Sequence, residues 1–202
     1  MSPRKAAALR GGESTLREHL IATAARLIAE RGTAGLTVRA IAREAGVADG
    51  VLYNHFADKE ELLACALRAH VTAAGRALGA LPEPGRGDLA ANLRAHVLHG
   101  LALHRAILPA FAGLIGRPAV LARFGDLSDP GEDWRDRLLA YLRAERELGR
   151  LAPDARVEAA ASMIVGTCHE TVLAALLGSP DPPPPDIDGL VTTLLTGIAP
   201  PG

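Results

Sequence analysis

Apolar residues recur every three or four positions along nearly the whole chain, and no stretch alternates as a half-buried strand does. A chain patterned this way must bury helix faces against one another, which predicts an all-α fold. The side chains suit it. Of 202 residues 49% are apolar but only 3% aromatic, so the core is mainly Ala, Leu, Ile and Val, a set that favours close helix packing. A core of that size excludes wholesale disorder.

Cap and stop residues divide the pattern. Thr15 and Glu18 form a T-x-x-E box that predicts the start of a first helix, with Leu16, Leu20, Ala24, Leu27 and Ile28 as its apolar stripe and Gly32 as its exit. Thr37 caps a short helix to residue 45, closed by Gly46, and a second short helix is expected over 49–55. Asp58 and Glu61 open a longer one, and the chain breaks at 82–87. Asp88 caps a segment expected to end before Pro109, and Pro118 suits the first turn of the next. Asp129-Pro130-x-Glu132 opens a helix through Leu148, a long helix is expected over 153–177, and a last one over 187–198 follows the stiff proline run 182–185. This gives a basic arm (1–12, with Arg4, Lys5 and Arg10), a small three-helix domain (13–63) and a larger helical domain (64–202).

Several classes of function are disfavoured. A net charge of -1 gives no general basic coat. Cys65 and Cys168 form neither a metal-ligand spacing nor a disulfide framework, which fits a reducing cytoplasm, the expected location. The start of the chain lacks the apolar run of a signal peptide. The stretch 155–177 is interrupted by Glu158, His169 and Glu170, so no membrane span is expected. His96 and His99 are spaced i, i+3, but Cys168 and His169, as neighbours on a helix, point about 100° apart and do not chelate together. No metal site and no cofactor are expected. Neither a nucleophile–base–orienter set nor a Gly-rich phosphate loop is visible, so no enzyme is expected.

The informative window is 36–63, L-T-V-R-A-I-A-R-E-A-G-V-A-D-G-V-L-Y-N-H-F-A-D-K-E-E-L-L. Two short helices meeting at a sharp angle need a small residue at closest approach, which Ala42 supplies. The turn needs positive φ, which Gly46 supplies. Ile41, Val47 and Leu52 lock the pair, the mechanical logic of a helix-turn-helix whose second helix enters the major groove. At α-helical spacing Gly50 and Asn54 share the outward face with Tyr53 beside them. Gly50 allows close approach, Tyr53 can donate to a phosphate, and Asn54 can pair with adenine. Thr37 and Lys59, at helix starts, suit phosphate.

The same residues resemble the N-terminal domain of TetR-family regulators. The pattern Thr37-Val38-x-x-Ile41-Ala42-x-x-Ala45-Gly46-Val47, then Gly50-x-Leu52-Tyr53-x-His55-Phe56-x-x-Lys59-Glu60-x-Leu62-Leu63, matches nearly every fixed position of the family's motif. Ala48 departs from it, standing where Ser usually caps the recognition helix. Asp49 is acidic where phosphates should lie, and is read as a surrogate cap, a dipole partner or an acceptor for cytosine. The resemblance implies a repressor that contacts double-stranded operator DNA through Thr37, Val38, Arg39, Ala48, Asp49, Gly50, Tyr53, Asn54, His55 and Lys59. It implies a homodimer formed by the last two helices, where Ala159, Ala160, Ala161 and Gly166 permit close approach. It also implies a small, mostly apolar effector enclosed by the middle helices, with His96, His99, Leu103, Phe111, Trp134, Leu138, Tyr141, Met163, Thr167 and Glu170 as candidate lining. The alternatives, an activator or a helical ligand-binding protein that does not bind DNA, are separated by reporter and gel-shift assays.

Overall fold

The structure, a computed structural model, describes residues 13–33, 36–127, 133–178 and 184–197. The basic arm and the Asp129–Glu132 helix start lie outside them, as do the first two residues of the proline run. Among the described residues there are helices and no strand. They are α1 (Glu13–Arg31), α2 (Val38–Ala45), a 3₁₀ helix (Asp49–Asn54), α3 (Lys59–Ala77), α4 (Leu89–Ala112), α5 (Pro118–Asp126), α6 (Trp134–Glu147), α7 (Val157–Leu176) and α8 (Ile187–Thr196).

Local signals explain most boundaries. Thr37 accepts from the Ala40 N–H at 3.1 Å to open α2, and Gly46 closes it at φ 76°. Asp58, Asp88 and Asp186 each accept a helix N–H three residues on, at 2.9, 2.8 and 2.8 Å. The helix after the break starts at Trp134 behind Asp133, whose carboxylate accepts from the Asp136 N–H.

Four expectations are corrected. Thr15 does not cap α1, because the helix is already under way at Glu13. Proline does not end α4, which continues through Pro109 to Ala112. Proline removes one N–H there, but Pro109 and Arg105 are both exposed, so solvent can reach the freed carbonyl. The helix expected from 153 begins at Val157, after a turn. The second member of the helix-turn-helix is 3₁₀, not α.

The chain forms two compact units. One takes in Met1–Ala74 and Pro109–Ser128, the other Gly75–Leu108 and Asp129–Gly202. The division drawn from sequence at 63/64 falls inside the continuous helix α3. The first unit also recruits a remote segment that no local signal announces. Its core packs Leu20, Ile41, Leu52, Leu62 and Leu67 together with Leu114 and Val120. The Thr33 hydroxyl donates to the Ala110 carbonyl at 3.1 Å, and Phe111 meets Phe124 edge-on at 5.1 Å.

In the second unit Glu145, fully buried, accepts from the Gly85 N–H at 3.2 Å and pairs with Arg150 at 3.2 Å. Arg150 also donates to the carbonyls of Arg86 and Gly87, which pins the loop ahead of α4. By length and composition alone α7 is apolar enough to cross a membrane, with a mean hydropathy of 1.4, yet only 22% of that stretch is buried. Its exposed side carries Ala159, Met163, Gly166, Glu170 and Leu173 at helical spacing.

Candidate nucleic-acid interface

The turn between α2 and the 3₁₀ helix is built as the sequence demands. Gly46 takes the left-handed conformation, which lets the Val47 N–H reach back to the Ala42 carbonyl at 3.0 Å. Ala42 and Ile41 are fully buried and Leu52 nearly so, while Val47 is half-buried. Gly50 has open space where a Cβ would stand.

The residues singled out for DNA contact share this unit and its surface. Thr37, Arg39, Ala48, Asp49, Gly50, Tyr53, Asn54 and Lys59 are exposed, and Val38 and His55 are half-buried. Tyr53 is 63% exposed, far more than a packing role would leave it. Thr37 spends its oxygen lone pair on the cap, leaving its O–H available as a donor. His55 is committed through its backbone, its N–H donating to the Leu52 carbonyl and its carbonyl accepting from Arg17.

Helix type alters the expected face. A 3₁₀ helix has three residues per turn, so Gly50 and Tyr53 are eclipsed and Asn54 stands about a third of a turn away. Asp49 is not a surrogate cap: Ala48 occupies the cap position without a side-chain bond, and the Asp49 carboxylate accepts from Arg39 at 3.1 Å. That exposed pair contributes little stability, but it neutralises the one acid expected to repel phosphate.

Two arginines hold this surface in place and were not foreseen. Arg17 of α1 donates to Glu61 at 2.9 Å, to the His55 carbonyl and to Cys65, with its guanidinium 4.8 Å above the Phe56 ring. Arg123 of α5 bonds the Asp58 carboxylate that caps α3. The Glu61 backbone N–H above all, with Arg123, holds the Asp58 carboxyl below its ordinary range. These partners lie 38 to 65 residues apart, beyond any local pattern.

The candidate effector residues divide. On the second unit's α4 and α6, His96, His99, Leu103, Trp134, Leu138 and Tyr141 are all buried. His96 lies against Tyr141 with ring centres 4.4 Å apart, and Trp134 meets His104 edge-on at 5.4 Å. Burial above all, then His99 and Arg137, pushes His96 down to about 4, and burial pushes Tyr141 up to about 12. Phe111 is not with them, since it packs in the first unit. Met163 and Glu170 are exposed on α7, and Thr167 is half-buried and donates to the Met163 carbonyl. Met163 instead joins Leu93, Leu142, Ala160, Ile164 and Leu194 around an apolar groove of about 460 Å³.

Fold and interface together define a helical protein with an N-terminal helix-turn-helix and a second helical unit. Residues 20–66 match the model for bacterial regulatory proteins of the tetR family. The transcriptional repressor KstR2 of Mycobacterium tuberculosis is 47% identical over 53 residues, a segment covering 26% of each protein. Among solved structures, the TetR family transcription regulator SCO0332 is 26% identical with a TM-score of 0.63, over 92% of this chain and 99% of that one. A putative transcriptional regulator from Pseudomonas aeruginosa PAO1 shares the fold at 24% identity and a TM-score of 0.63, over 94% of this chain and 93% of that one. Through residues 20–66 the chain is similar to tetR-family regulators, and over most of its length it shares their fold. It matches about a quarter of the length of its curated relatives.

Proposed function

We propose that this protein is a one-component repressor that binds a palindromic operator as a dimer and releases it when a small molecule occupies the second unit. The observation that carries the reading is the exposed set Thr37, Gly50, Tyr53, Asn54 and Lys59 on a rigidly pinned helix-turn-helix. Thr37, Tyr53 and Lys59 offer donors to phosphates and fix the register. Asn54 offers the paired donor and acceptor that adenine requires.

One such surface reads few base pairs, so two copies related by a two-fold axis are needed, with half-sites roughly 34–36 Å apart or a multiple of that. The cover for α7 and α8 is then a second copy. Met163, Leu173, Leu176 and Leu195 are 39–49% exposed, and the ion pairs Arg94–Asp188 and Arg143–Glu158 also lie on exposed surface of the second unit. Ala159 and Gly166 face outward and allow close approach, whereas Ala161 is buried within the unit. Effector binding favours the dimer whose reading surfaces no longer match operator spacing. The relatives it matches are transcriptional regulators, which supports a regulator rather than an enzyme, and a DNA partner fits a cytoplasmic location.

The test is a gel shift with the intergenic DNA beside the gene, run across a salt series. Specific, salt-dependent binding is expected. Tyr53→Phe should weaken binding to all sequences alike, and Asn54→Ala should relax preference at one base position. Binding without sequence preference would refute the repressor reading, and identical behaviour of the two variants would refute the division of roles.

A further inference from the structure

A cation that meets a phosphate works best with no acid beside it, yet this reading surface holds one of its arginines against a carboxylate. Arg39, in the first turn of α2, donates from Nε to Oδ2 of Asp49, the first residue of the 3₁₀ helix, at 3.1 Å. The two side chains are 86% and 49% exposed. Gly50, the next residue, adds no side chain to screen the pair from a duplex, and the space where its Cβ would stand is open. An ion pair so open to water contributes little to stability, so fold stability does not account for it.

The atoms used are informative. A guanidinium carries five N–H groups in one plane. The Asp49 bond takes the one on Nε and leaves the four on Nη1 and Nη2 without a hydrogen-bond partner among the described residues. Electrostatics then separates the two tasks an arginine can perform on DNA. A phosphate contact draws on net positive charge, which Asp49 cancels, and the phosphate repels the carboxylate as well. A base edge carries no net charge and requires paired donors in a fixed plane, and guanine presents O6 and N7 as two acceptors for such a fork. A free arginine must also surrender rotamer freedom to make that contact. A carboxylate that already holds Nε removes part of the cost before DNA arrives.

We infer that Arg39 reads a guanine in each half-site through Nη1 and Nη2, and that Asp49 is the positioning residue that holds its guanidinium in place. The inference rests on the operator-binding reading above and adds to it a base reader outside the 3₁₀ helix.

The full-length protein is used to select duplexes from a randomised library. The wild type should enrich a sequence with a guanine in each half-site that Arg39→Ala no longer selects. On the enriched duplex the wild type should prefer that guanine over other bases by about ten-fold or more, and Arg39→Ala by less than about two-fold. Arg39→Lys keeps the charge but cannot hold Asp49 and offer a fork together, so it should not restore the preference. Asp49→Ala should bind all DNA more tightly, because an acid is gone, while preferring the guanine less. In the Arg39→Ala background it should leave base preference unaltered. A merely structural role does not raise affinity and lower specificity at once. A readout that needs no variant is 7-deazaguanine at the selected position, which replaces the N7 acceptor with a C–H and should weaken the wild type several-fold. Equal loss of affinity for every sequence in Arg39→Ala, rescue by Arg39→Lys, or indifference of the wild type to 7-deazaguanine makes Arg39 a phosphate contact and overturns the inference with the repressor reading intact. An enriched sequence in which no guanine depends on Arg39 does the same. Unchanged base preference in Asp49→Ala overturns the positioning role. A wild type that enriches no sequence overturns the repressor reading and this one with it.

Discussion

Acidification should loosen the second unit before the Asp58 and Glu61 carboxylates titrate. His96 has an ordinary pKa of 6.5 when unfolded and about 4 in the folded chain, because its buried imidazole resists the charge. A group depressed by folding contributes stability above its unfolded pKa and loses it as pH falls toward the folded value. From about pH 7.5 to about pH 5 the two values imply a loss of roughly 2 kcal/mol from His96 alone. Burial pushes His99 and His104 the same way, so the total is larger. Asp58 and Glu61, held below ordinary values of 3.8 and 4.5, lose their contributions only at lower pH and leave this window clear. The assay is urea unfolding followed by Trp134 emission at the two pH values, for the wild type and His96→Gln. The variant should show a pH dependence smaller by about 2 kcal/mol, whatever its absolute stability. An unchanged pH dependence would refute the claim that His96 is buried neutral.

Gly46→Ala forces a Cβ into a backbone at φ 76° and should destabilise the first unit by about 1–2 kcal/mol, read as a lower urea midpoint with weaker operator binding. Thr37→Ala should cost roughly 1 kcal/mol through the lost α2 cap, and should weaken DNA binding further through the lost hydroxyl. Gly100→Ala pushes a methyl into the Trp134 ring and should cost about 1–3 kcal/mol with a shift in tryptophan emission, measured by denaturation and fluorescence. Met163→Asp places a charge on the exposed apolar side of α7 and should shift the protein toward monomer in sedimentation analysis.

The reading unit was legible because its determinants are local. A helix-turn-helix needs a small residue, a left-handed turn and a few apolar contacts within about twenty positions, and Ala42, Gly46 and Leu52 meet those needs in sequence order. The second unit was legible only as helices. Met163 and Glu170 carry the same kind of spacing as Leu138 and Tyr141, yet one pair faces out and the other in. Periodicity finds a stripe without saying what covers it. Phe111 was misassigned for the same reason: α4 is one continuous helix, but its end belongs to the other unit.

By itself the sequence determined which segments coil, where the turn bends and which side chains suit a groove, since each depends on neighbours a few residues away. Tertiary structure alone decided that Arg17 and Arg123 would anchor the reading surface, that Asp49 would answer to Arg39, and that the ring nitrogens of His96 and Trp134 would be buried with no hydrogen-bond partner among the described residues. Those outcomes depend on which remote helices meet, and the free energy of such meetings is shared among many apolar contacts that no short window contains.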